Sequence, residues 1–167
     1  MPTYIVSSDG IATHTGTKTM IQIVAGSTNG CTLRRWHTSG NSSTAAYTRW
    51  KIIRQTNAGT TGGAATEGTH YDIAPNNSAD GTQAETFTIN AGPASGAWSV
   101  EPTTATINGS NAKMDSWCVA NNGGIFDSTG YARSDGGIFI PAGTRLGLIA
   151  VGDGTNTCTP SIVLVID

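Results

Sequence analysis

Apolar residues in this chain recur at alternate positions in short runs. Nowhere do they keep the i, i+3, i+4 spacing of a helix over about eleven residues without a Gly, Pro, Asn or Thr cluster intervening. Period-two runs bounded by turn residues predict strands near 3–7, 18–25, 31–38, 46–55, 85–90, 97–101, 104–107, 116–119, 137–140, 145–151 and 160–166. In ETFTIN, Phe87 and Ile89 oppose Thr86 and Thr88, the alternation of a sheet with one wet face. Trp98 and Val100 likewise oppose Ser99 and Glu101, and Trp50 and Ile52 oppose Arg49, Lys51 and Ile53. With Ile21, Ile23, Leu33, Leu146 and Leu148 these inward positions predict the core of an all-β fold, an antiparallel β-sandwich of jelly-roll type in a single domain.

The closing SIVLVID departs from that alternation. Ile162, Leu164 and Ile166 fall on one face and Val163 and Val165 on the other, so both faces are apolar. A sandwich offers one core face to each strand, so the second must be covered by a loop of the chain, a neighbouring subunit or another protein. Asp153-Gly154 reads as a hairpin turn setting 145–151 beside 160–166, in preference to a calcium loop, because no second carboxylate follows Asp153 before Asp167. The expectation is a homo-oligomer, a trimer, with Val163 and Val165 at the subunit contact; cover by the 56–82 loop is the alternative. That loop is the longest stretch without a convincing strand, and residues 1–16 read as an N-terminal arm.

Composition narrows the function. At 167 residues the chain suits one domain burying about 70% of its unfolded surface. Charged residues make up 12%, against a usual share of about a quarter, and the net charge is -2 without a block of either sign. Nothing here attracts nucleic acid or anionic lipid. The opening MPTYIVSSDG has no basic and apolar leader pattern and no run approaches a bilayer span, so the sequence reads as a protein made and left in the cytoplasm. Cys31, Cys118 and Cys158 lack metal-ligand spacing and read as buried small hydrophobes, with one disulfide left open.

Candidate chemistry is sparse. His14, His37 and His70 have no second ligand or acid at i+2 or i+4, and G-x-S-x-G is absent. Glu67 with Asp72, or Glu85 with Glu101, are the acid pairs a glycosidase would need, but carboxylates in polar loops are the better reading. The sequence therefore points to no catalytic residue, metal, cofactor or small-molecule substrate. CTLRRWHTSG is the most concentrated cationic and aromatic stretch: a regular strand puts Arg34 and Trp36 on one face and Leu33, Arg35 and His37 on the other. Arg34 and Trp36 join Val163 and Val165 as candidate interface residues, a surface cation–π pair being weighed against a core Trp with solvated arginines, the preferred reading.

TYIVSSDGIATHTGTKTMIQIVAGST, the strand AWSVEP with Pro102, and FIPAGTRLGLIAVGDGTNTCTPSIVLVID cover about half the chain. Together they resemble a loose family of small virion proteins of tailed phages. The resemblance implies a β-sandwich component of the particle, a head decoration or cement protein bound to the major capsid protein of the shell, and carries no catalytic residues with it. Such proteins fold in the bacterial cytoplasm and end on the capsid surface, which agrees with a Thr- and Asn-rich surface and no export signal. The rivals are a carbohydrate- or receptor-binding module using Trp36, Trp50, Trp98 or Trp117 as a stacking platform, and a polysaccharide-degrading enzyme.

Overall fold

The computed structural model describes residues 3–7, 12–41, 47–57, 59–61, 70–72, 87–91, 98–104, 106–107, 110–111, 113–120, 122–127 and 137–166. Side chains are described for 17–39, 47–57, 59, 101–104, 116–119, 125–126 and 137–152. The described residues contain no helix. In chain order their strands are β1 (Thr3–Ser7), β2 (Ala12–Ala25), β3 (Cys31–Asn41), β4 (Tyr47–Gln55), β5 (Thr60–Thr61), β6 (His70–Asp72) and β7 (Phe87–Ala91). They continue with β8 (Trp98–Val100), β9 (Thr106–Ile107), β10 (Ser110–Asn111), β11 (Lys113–Ala120), β12 (Asn122–Asp127), β13 (Ile138–Ile140) and β14 (Arg145–Ile166).

The 22-residue β14 organises the fold. Its first half lies between β2 and β4, from Arg145 opposite Val24 and Gln55 to Gly152 opposite Gly16 and Thr48. Its second half lies between β1 and β3: Ser161 to Val165 face Ser7 to Thr3, and Cys158 to Ile166 face Gly40 to Cys31. β7 on β2 and β11 on β4 widen the first half; β6 on β1, with β12 and β13 in tandem along the far edge of β3, widen the second. The result is two antiparallel wings sharing one strand.

The inner faces of the wings meet. Trp36 of β3 and Trp117 of β11 stand 6.0 Å apart between ring centroids, and the Trp117 Nε1–H donates to Thr38 Oγ1 at 2.9 Å. Phe126 of β12 stacks on Trp117 at 4.7 Å. Ile21, Ile23, Trp50, Ile52, Leu146 and Leu148 from the first wing and Cys31, Leu33, Ile138 and Ile140 from the second complete one buried cluster. Each such aliphatic contributes about 1.5–3 kcal/mol by leaving water. The architecture is all-β and antiparallel, consistent with a sandwich.

The outer face of the first wing is covered by the chain itself. Gln22 and Gln55 are buried there, and the Gln22 Nε2 donates to Gln55 Oε1 at 2.7 Å and to the Asn57 carbonyl at 2.9 Å, while Gln55 Nε2 donates to Thr19 Oγ1 at 3.0 Å. Gly147 lies beneath them: a Cβ there would come within 2.6 Å of the Gln55 amide. Residues 101–104 pass over this face, with the Thr19 N–H donating to Glu101 Oε2 at 2.9 Å, Lys18 Nζ at 3.7 Å from Glu101 Oε1, and Thr56 N–H donating to the Thr103 carbonyl at 2.9 Å. Ile53 and Ile149, two of the outward apolar residues of this face, are buried.

Several expectations are corrected. Asp153-Gly154 forms no hairpin, so 145–151 and 160–166 are not neighbours but successive parts of one strand. Both edges of each apolar run are already occupied by other strands, and Asp153 to Thr155 stand opposite Thr15 alone as a bulge where β14 passes between wings. Residues 3–7 and 12–16, assigned to an arm, are paired in the sheet. The 56–82 stretch contributes β5, paired with β8, and β6, paired with β1. The similar segments NGGIFD at 122–127 and GIFIP at 137–141 supply β12 and β13, which pair in succession with the same edge of β3. Before β14, the Pro141–Thr144 turn closes with Thr144 N–H on the Pro141 carbonyl at 3.0 Å and Gly143 at φ 71°, where a side chain is disfavoured.

Candidate functional site

Of the interface residues expected from sequence, Trp36 is ruled out for surface contact, being 2% exposed in the core. The face assignment that paired it with Arg34 fails at a bulge. Val163 faces Arg35 and Leu164 faces Leu33, so Arg34 is an extra residue in β3. The inserted residue flips the parity: Leu33 and Trp36 both point inward, and Arg34 and Arg35 are both exposed. The stretch is a core tryptophan beside surface arginines.

The side chains of Val163 and Val165 lie outside the described residues. Their backbone register is clear: Val163 stands in a cross-strand row with Arg35 and Ile5, and Val165 in one with Thr32 and Thr3. Those rows belong to the outer face of the second wing, since Leu33 and Trp36 occupy the inner one. On this outer face β13 and β12 add Phe139, opposite Thr32 and 52% exposed, and Ile125, opposite Ser39 and 69% exposed. Arg54 fixes the β13 end from the other wing, its Nη2 donating to the Phe139 carbonyl at 2.6 Å; burial lowers its pKa.

A second feature occupies the outer face of the first wing, beyond the part that residues 101–104 cover. Tyr47, Arg49, Cys118, Val151 and Gly152 line an open basin of about 350 Å³. Cys118, Arg49 and Val151 form one cross-strand row over β11, β4 and β14. Tyr47, 69% exposed, lies at the start of β4, and Gly152 is the last residue before the β14 bulge. The TRWKIIR alternation sets Arg49 opposite the inward Trp50, but nothing in the sequence joins Tyr47, Cys118 and Val151 to it.

Glu101 is held by Lys18 and the Thr19 amide. Glu67 and Glu85 lie outside the described residues, as does the side chain of Asp72. Among the described residues no group of three His, Cys, Asp or Glu side chains is placed to hold a metal. Among the described residues Cys31 and Cys118 form no disulfide with each other, and the side chain of Cys158 lies outside the described residues. In comparisons with known proteins, the chain matches no family model and no curated protein.

Proposed function

We propose that this chain is a non-enzymatic structural protein of a tailed-phage virion, a head decoration or cement protein that binds the assembled shell of major capsid protein as a homotrimer. It is a single domain of jelly-roll type, made in the bacterial cytoplasm and carried on the capsid surface. The observation that carries the reading is the outer face of the second wing. Phe139 stands exposed there in the row of Thr32 and Val165, Ile125 stands exposed further along the same face in the row of Ser39 and Thr159, and Arg34 and Arg35 are exposed on β3 between those two rows. Large apolar side chains left in solvent on a sheet face, with cationic neighbours, are what association would cover.

Two further features support it. Strands β1 to β4 alternate between the second and first wings, the crossing order of jelly rolls. Trp36, Trp50 and Trp117 are 2%, 0% and 8% exposed and so offer no stacking platform for a sugar, while the side chain of Trp98 lies outside the described residues. A protein that binds only the assembled shell stabilises that state by its binding free energy, and a symmetric oligomer multiplies weak contacts. The test adds purified protein to particles lacking it and follows their thermal rupture, with light scattering for its mass. Trimers that saturate the particle at a fixed ratio and raise the rupture temperature are expected; a monomer without effect would refute the reading.

A further inference from the structure

The basin on the first wing has the size and lining of a recognition site. Its volume, about 350 Å³, lies at the lower end of the range for ligand pockets, about 300–1,000 Å³. Its place follows from the fold: Gly152 is the last residue in register before β14 departs from β2 through the Asp153–Thr155 bulge, and the Cys118–Arg49–Val151 row ends beside it. Its wall sets an exposed phenol ring, an exposed guanidinium, a thiol and a valine around one space. Among the described residues no acidic side chain lines it, and Lys51 follows Arg49 two positions along the same face of β4. A planar guanidinium beside an aromatic and an aliphatic wall suits an anion that is planar and carries an apolar neighbour.

We propose that this basin binds a carboxylate side chain of a partner protein, an Asp or Glu flanked by an apolar residue, with Arg49 holding the carboxylate and Tyr47 and Val151 packing its neighbour. That the partner is the capsid shell rests on the function proposed above; the chemistry of the basin does not. Cys118 makes the basin testable without knowing the partner, because its thiol stands opposite Arg49 and reports what reaches it.

The first experiment compares the rates at which Cys118 in the intact protein reacts with 5,5′-dithiobis(2-nitrobenzoate), an aromatic disulfide bearing carboxylates, and with uncharged 4,4′-dithiodipyridine. Cys118→Ser identifies the signal from other thiols. Arg49→Gln is expected to lower the anionic-to-neutral rate ratio about five-fold, the effect of one partly exposed charge contact of about 1 kcal/mol, and Arg49→Lys to retain most of it. An unchanged ratio in a folded Arg49→Gln protein would overturn the proposal. In the second, the capped peptide Leu-Glu-Leu slows the reaction and Leu-Gln-Leu does not; protection by polygalacturonate but not by the peptide would replace the protein partner with an acidic glycan and overturn the assignment. Finally, Arg49→Gln is tested on depleted particles: loss of binding ties the basin to the shell, whereas charge selectivity with unchanged particle binding refutes the shell as its partner and leaves the virion reading standing.

Discussion

The two wings are built alike inside and differently outside. Both turn Trp, Ile and Leu toward a shared core, yet the first wing covers much of its outer face with residues 101–104 and a bonded Gln22–Gln55–Thr19 set, while the second leaves Phe139 and Ile125 in contact with solvent. Burying an outer face with the chain's own residues requires every polar group on it to find a partner, and the two glutamines do so. On the proposed function, the second wing's outer face is the one a partner covers, and the difference then separates what stabilises the fold from what is offered to that partner.

Removing what the wings share has the largest effect. Trp50, fully buried between them, becomes Ala at a cost of about 3–5 kcal/mol, read as a lower urea midpoint; a loss below about 1 kcal/mol would mean the wings do not pack through it. Breaking only the first wing's outer cover costs less. Gln55→Ala takes away one of the two acceptors of the Gln22 amide and the donor to the Thr19 hydroxyl, for about 1–3 kcal/mol, and Gly147→Ala drives a methyl into the Gln55 amide at 2.6 Å, for a similar about 1–3 kcal/mol. Combined, these two should fall short of additivity, because both act on the same amide. The smallest stability effect belongs to the second wing: Phe139→Ser with Ile125→Ser changes unfolding by no more than about 0.5 kcal/mol per site. The same pair should abolish trimer formation in light scattering; an unchanged mass would remove the second wing from the interface.

Much of this was legible in residues. Alternation in TRWKIIR marks Trp50 and Ile52 as inward, and both are fully buried. What escaped is tertiary. A single extra residue, Arg34, reverses the faces of RRWH, and no local rule distinguishes a bulged strand from a regular one there. Asp153-Gly154 carries strong turn chemistry, yet four flanking strands hold the apolar runs on either side in one extended line. The two-residue strands β5, β9 and β10 are too short for any period to show. The basin was hidden for a different reason: its walls come from β4, β11 and β14, with Cys118 69 positions after Arg49 and Val151 a further 33 along the chain.

The most direct test of the central claim is imaging of purified virions at a resolution that separates β-strands. The account predicts density for this two-winged fold on the outside of the head, at symmetry-related positions in groups of three, with the outer face of the second wing turned toward a neighbouring copy or the shell. Density absent from the head, or a copy whose Phe139 and Ile125 face open solvent on every particle, would contradict it.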